Sequence, residues 1–197
     1  LLEISEENLY KINEELSQIN IDKIKIKSIL GSSSNFKLVS KTIKDNNIDI
    51  IFHAAAYKHV PIVELNPIEG IKNNIFSTVA VCEASVENHI EKLILISTDK
   101  SVRPTSVMGA SKRVAELVVQ AYAEKESNKF NKDSNYKEIL FSMVRFGNVL
   151  GSSGSVILKF KEQIKSGGPI TLTDSNIIRY FMTIKEAAQL VIQSSVL

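Results

Sequence analysis

The 197 residues carry a formal net charge of +2 and are 44% hydrophobic. That length holds one domain with a sizeable core rather than two, and the near-balanced charge leaves no footprint for nucleic acid or an anionic membrane. Cys82 is the single cysteine, which excludes an internal disulfide and points to a reducing, cytoplasmic setting.

In chain order, Leu1-Leu2 reads as the tail of a strand and Ser5 to Ile19 as a helix capped by Ser5. Ile24 to Leu30 alternates Ile and Lys, the period of a strand with one wet face. Gly31 to Ser34 is a turn, and Asn35 to Asp45 a second amphipathic helix. Ile48 to Ala56 reads as a short buried strand running into small residues, followed by a helical stretch from Pro67 to Asn88 that buries Cys82. Leu93 to Ser97 is the continuous apolar run of a central parallel strand. Val107 to Glu124 is strongly helical, and the polar, aperiodic Glu126 to Tyr136 reads as a surface loop. A strand is expected over Ile139 to Phe146, a helix over Ser155 to Lys165, a short strand over Ile170 to Leu172 and a last helix over Ile184 to Gln193.

Strands alternating with helices imply an α/β fold, a Rossmann-like doubly wound parallel sheet, in which ligands sit beyond the C-terminal strand ends. The chain opens without Met and stops inside a helical pattern, so both ends are expected to be truncated. No stretch approaches the roughly 20 apolar residues that span a bilayer, and no secretory signal opens the chain.

Three strand ends carry suggestive residues. Glu3 is either an acid accepting hydrogen bonds from the adenosine ribose of a dinucleotide or an ordinary exposed glutamate. Ala54, Ala55 and Ala56 either let backbone approach an extended ligand or pack tightly on a helix. Thr98-Asp99-Lys100 sets a hydroxyl, an acid and an amine side by side, fit for acid/base work or for simple turn chemistry. Met108 and Lys112, four apart on the next helix, share one face. No G-x-G-x-x-G follows a first strand, and a phosphate loop is expected before Leu1. No metal site is expected.

The stretches Phe52 to Pro61 (FHAAAYKHVP), Lys72 to Thr78, Ser97 to Arg113 (STDKSVRPTSVMGASKR), Val144 to Val156 (VRFGNVLGSSGSV) and Arg179 to Thr183 (RYFMT) resemble the extended short-chain dehydrogenase/reductase superfamily. More narrowly, they are similar to the UDP-N-acetylglucosamine 4,6-dehydratases of polysaccharide biosynthesis. The resemblance implies one NAD-binding catalytic domain over residues 1–197, lacking the glycine-rich first unit, with sugar-nucleotide elements in about 148–197. Lys112 matches the lysine on the nicotinamide ribose. Met108 stands where the superfamily usually has the tyrosine that moves the carbon 4 proton, as in a configuration-retaining, often membrane-anchored subgroup.

That subgroup implies Asp99 as acid and Lys100 as base, or the reverse, with Thr98 on the carbon 4 oxygen. Asp99 would need a raised pKa and Lys100 a lowered one. Glu3, Ala54, Ala55, Ala56, Asn74 and Lys112 match NAD contacts. Asn148, the helix start Ser155-Val156 and Arg179 match the UDP-sugar site. Lys58 and His59 flank the cleft without an assigned role. Ser32 replaces an adenine-contacting Asp, and Ser77 a helix Gly. The resemblance also implies a homo-oligomer and a parent protein at the inner face of the membrane. A nucleotide-sugar 4-epimerase and an inactive nucleotide-binding scaffold are the competing expectations.

Overall fold

The computed structural model of the chain describes residues 1–19, 24–133, 135–152, 156–172 and 174–196. Its strands are β1 (Leu2–Glu3), β2 (Ile29–Leu30), β3 (Ile50–His53), β4 (Lys92–Thr98), β5 (Leu140–Phe146), β6 (Asn148–Val149) and β7 (Phe181–Met182). The helices are α1 (Glu6–Gln18), α2 (Phe36–Asn46), α3 (Val60–Leu65), α4 (Pro67–Ile71), α5 (Ser77–Glu87), α6 (Val107–Lys132), α7 (Val156–Lys165) and α8 (Ile184–Ser194). All pairings are parallel: β1 with β2, β4 between β3 and β5, and β6 with β7. This is the expected Rossmann-like α/β architecture.

Side-chain alternation on β4 explains the layers. Leu93 and Leu95 join Val39 and Ile43 of α2, Val81, Cys82 and Ala84 of α5, and Ala115 and Val119 of α6 in one apolar cluster. The opposite face carries Ile94 and Ile96, and α8 packs on that side against β4 and β5. Burial pushes the Cys82 thiol up to about 12, so it is packing material rather than a reactive group. Local signals set the helix starts. Ser5 and Asn35 cap α1 and α2, Pro67 opens α4, and Thr183 with Glu186 forms a capping box on α8. Among the described residues, no helix is long and apolar enough to cross a membrane.

Three sequence expectations are corrected. Ile24 to Leu30 pairs only at Ile29–Leu30, because β1 offers a two-residue partner. Of Glu126 to Tyr136, expected as a loop, residues 126–132 are helical: α6 runs on to Lys132, and Glu126 is fully buried beneath Lys129 and Tyr136, so a polar residue there is an inward one. Ile170 to Leu172 is not a strand. Gln163 Nε2 donates to Thr171 Oγ1 and Gln163 Oε1 accepts from Thr171 N, and the strand of this region is Phe181–Met182 beside β6. The helical stretch expected from Pro67 to Asn88 runs unbroken over Pro67 to Glu87, with a π turn at Lys72–Phe76 between α4 and α5. Ser77, in place of the expected Gly, donates its hydroxyl to the Asn73 carbonyl.

Candidate active site

A cleft of about 1360 Å³ opens beyond the C-terminal ends of β3, β4 and β5, where a parallel sheet exposes its strand-end loops. Ala54, Ala56, Tyr57, Lys58 and His59 after β3, Ile96 to Thr98 and Lys100 at the end of β4, and Met108 and Lys112 on α6 form one wall. Gly147, Asn148, Val156, Arg179 and the inner face of α8 form the other.

The centre of the site is the end of β4, where the chain makes a single 3-10 turn over Asp99–Ser101. Thr98 Oγ1 donates to Asp99 Oδ1 at 3.0 Å. Lys100 Nζ donates to the same Oδ1 at 3.1 Å and to Asn148 Oδ1 at 3.2 Å, which ties the triplet to β6 across the cleft. Burial pushes the Asp99 carboxyl up, but hydrogen bonds from Lys100 and Thr98 outweigh it and hold the group below the usual carboxylate range. This corrects the sequence expectation of a raised Asp99: the carboxyl is half exposed and doubly hydrogen-bonded, so its charged form is favoured.

The α6 N-terminus is pinned from two directions. Ser106 accepts from Gly109 N at 3.1 Å, and Glu64 of α3 accepts from Val107 N at 2.6 Å. Any Cβ at Gly109 would overlap the Lys100 carbonyl oxygen, so glycine permits the turn to lie directly on the helix. Met108, 3% exposed, lines the cleft one helical turn before Lys112. Lys112 Nζ donates to the Ile96 carbonyl at 2.7 Å. Burial pushes its ammonium down to about 8, with Glu116 pulling the other way. His53, buried behind it, is pushed down to about 3 by burial and by Lys112, so its ring is neutral against Thr78.

The remaining expected residues divide. Ala54 and Ala56 line the cleft, while Ala55 between them is exposed outside its wall. Asn74 differs from expectation. It is 1% exposed, accepts from Tyr57 N at 2.7 Å, and donates to Tyr57 O and Ser111 Oγ at 3.1 and 2.9 Å. Its amide is consumed in clipping the Ala54–Tyr57 loop to α6, which leaves nothing for a ligand. Glu3, at the end of β1, accepts from Ser5 N at 2.9 Å and stands apart from the cleft wall. Val156 and exposed Arg179 line the cleft; Ser155 lies outside the described residues.

Sequence reasoning missed Glu116, a fully buried carboxylate holding Ser97, Ser101, Arg113 and Arg145. Its one signal was an acid four residues after Lys112 on an apolar helix face. It also missed the apolar contribution of Ile184, Ala187, Val191 and Ile192 on α8.

The walls suit the nicotinamide half of a dinucleotide. Small Ala54 and Ala56, apolar Ile96 and Met108, and the Lys112 amine meet on one side of the cleft.

The chain is 44% identical over 197 residues to the capsular polysaccharide biosynthesis protein CapD of Staphylococcus aureus, matching all of this chain and 31% of that protein. It is 35% identical over 179 residues to a UDP-glucose 4-epimerase of Rickettsia canadensis, covering 91% of this chain and 50% of that one. The chain thus spans half or less of these relatives' lengths. Among solved structures, Pen from Bacillus thuringiensis superimposes with a TM-score of 0.86 at 34% identity, over all of this chain and 58% of that one. A family model described as polysaccharide biosynthesis protein matches residues 1–197, and the chain belongs to that family.

Proposed function

We propose that the chain is the catalytic part of an NAD-dependent nucleotide-sugar 4,6-dehydratase. It would convert UDP-N-acetylglucosamine to its 4-keto-6-deoxy derivative for surface-glycan synthesis. The observation that carries this reading is the Thr98–Asp99–Lys100 chain of hydrogen bonds, with Thr98 and Lys100 on the same cleft wall as Met108 and Lys112. A nicotinamide dinucleotide, when bound, accepts hydride from carbon 4 and gives it back to carbon 6. Lys112, Ala54 and Ala56 would hold its nicotinamide half and Glu3 its adenosine ribose. Asn148, Arg179 and the start of α7 at Val156 would take the nucleotide diphosphate.

Met108 has no site for a proton, so the carbon 4 hydroxyl needs another outlet. Thr98 supplies it: its oxygen takes the hydroxyl proton while its own hydrogen passes to Asp99 Oδ1. That step needs Asp99 to begin as a carboxylate, consistent with its depressed pKa. Asp99 then holds the proton that leaves with the carbon 6 hydroxyl as water. As the sugar displaces water from the cleft, Lys100 would give its ammonium proton to the departing solvent and, as an amine, take the carbon 5 proton that the ketone acidifies. Lys100 would return a proton to carbon 5 after carbon 6 is reduced, and exchange of its N–H hydrogens with solvent would bring deuterium there in deuterated water. Asp99 and Lys100 then regain the charges they hold with the sugar bound, and water leaves with the sugar product.

The Rickettsia relative favours a second reading, a 4-epimerase. Incubating the full-length protein with UDP-N-acetylglucosamine in deuterated water and reading the product by NMR separates them. The expected product is a 4-keto-6-deoxy sugar with deuterium at carbon 5. A carbon 4 epimer with an intact carbon 6 hydroxyl sinks the dehydratase.

A further inference from the structure

We infer that Glu116 is a positioning residue for the Thr98–Lys100 turn; this rests on the dehydratase reading of that turn. Glu116 is 0% exposed, one helical turn beyond Lys112 on the same face of α6. Its Oε1 accepts from Ser97 Oγ at 2.6 Å and from Arg145 Nε at 2.8 Å. Ser101 Oγ lies within reach of both that oxygen, at 2.6 Å, and the Thr98 carbonyl, at 2.7 Å. Its single hydrogen serves one of them at a time. Oε2 accepts from Arg113 Nη1 at 3.0 Å and Arg145 Nη2 at 2.5 Å.

Ser97 immediately precedes Thr98, and Ser101 immediately follows Lys100. One oxygen atom therefore gathers both flanks of the reactive triplet. The same carboxylate is anchored to β5 through Arg145, two residues before Gly147 at the opposite wall. A buried ion pair is a weak source of stability, since well-packed apolar residues of equal volume do as well or better. What it adds is direction: planar, bidentate Arg145 fixes the carboxylate plane, and that plane fixes where the two serine hydroxyls sit. Glu116 thereby sets the position of Thr98, Asp99 and Lys100 relative to Lys112 on that wall, without touching the substrate.

The test uses the full-length protein carrying Ser97→Ala and Ser101→Ala together, and separately Glu116→Gln. The serine pair removes both hydroxyls with little change in volume and leaves the arginine–carboxylate bonds intact. The expected result is a kcat for UDP-N-acetylglucosamine lower by at least about tenfold, with KM nearly unchanged and the protein fully folded at the assay temperature, although the lost bonds to a buried carboxylate lower its melting temperature. Amide exchange at Lys100 and Val102, whose N–H groups close the turn onto Thr98 Oγ1 and the Asp99 carbonyl, should accelerate about tenfold while Leu93 to Leu95 stay protected. Glu116→Gln, where it folds, should show the same split. An unchanged kcat, or a loss that only tracks melting temperature and exchange throughout β4, overturns the inference. If the unsubstituted protein does not dehydrate the sugar nucleotide, the dehydratase reading fails by itself. Exchange at Lys100 and Val102 then decides the positioning role, and unchanged rates there overturn it.

Discussion

Asp99 and Lys100 form an ion pair with side chains 50% and 37% exposed. A pair that open to water contributes little to stability, up to about 1 kcal/mol. Asp99→Asn and Lys100→Met should therefore melt close to the unsubstituted protein while losing at least about a hundredfold in kcat. Reduced cofactor should accumulate in Lys100→Met, because carbon 4 is oxidised before carbon 5 is deprotonated. A loss of fold in step with activity would remove both residues from the chemistry. Gly109 is the opposite kind of residue. Alanine gains helix propensity of roughly 0.5–1 kcal/mol over glycine, yet here its methyl would strike the Lys100 carbonyl oxygen, with Pro104 Cβ only 3.2 Å away. The backbone clash wins, since overpacking costs about 1–3 kcal/mol. Gly109→Ala should lower both the urea midpoint and kcat, and a stabilised, fully active variant would contradict the close approach. At this scale the residue types of the site were readable, and their charge states were not. Asp99 reads as an acid in either state; only its bonds to Lys100 and Thr98 say which one is favoured.

Helix α6 joins the chemistry to the core. Its first turns carry Met108 and Lys112, its middle Glu116, and its last turns the buried Glu126. The sequence ended this helix near Glu124 because Glu126 to Lys132 shows no apolar period. The helix continues because Lys129 and the Tyr136 hydroxyl both bond the Glu126 carboxylate, with Lys129 also lying over the Tyr136 ring. Tyr136→Phe should cost about 1–3 kcal/mol by leaving part of a buried carboxylate unpaired. Amide protection should be lost over residues 126–132 while activity, carried at the other end of the helix, is kept. Unaltered protection there would show that the last turns stand without this cap. The π turn at Lys72–Phe76 is another element that periodicity could not show. It aims Asn74 at Tyr57 and Ser111, and so converts an expected cofactor ligand into a clip between loop and helix.

Across the whole molecule, two buried groups bias stability toward neutral pH. His53 falls from 6.5 to about 3 on folding, so it is neutral in the fold and increasingly charged in the unfolded chain below 6.5. Glu116 falls from 4.5 to about 2, its buried carboxylate held by Arg145, Ser101, Ser97 and Arg113 against the upward push of burial. Both depressions stabilise the fold above the unfolded pKa and lose that contribution as pH drops toward the folded one. The Glu116 part amounts to roughly 3 kcal/mol by the usual conversion of pKa to energy. The urea midpoint should therefore decline below pH 6.5 and fall more steeply below 4.5. A flat profile from 6.5 through 4.5 would mean that His53 is not held neutral in the core.

Composition, strand–helix alternation and the strand-end motifs determined the parallel α/β fold, the strand ends that form the cleft, and the identity of Thr98, Asp99, Lys100, Met108 and Lys112. Those features are local, being written in periods of two and 3.6 residues and in short runs of polar side chains. The tertiary structure alone decided that Asp99 rests as a carboxylate, that Asn74 faces protein rather than ligand, and that Glu116 underlies the reactive turn. The Asn74 and Glu116 contacts join positions 15 to 37 apart, as in Ser101 to Glu116 and Asn74 to Ser111, and the turn that brings Asp99 onto its neighbours is tied to Asn148, 48 positions from Lys100. Burial and pairing at such separations are properties of packing, which no local pattern encodes.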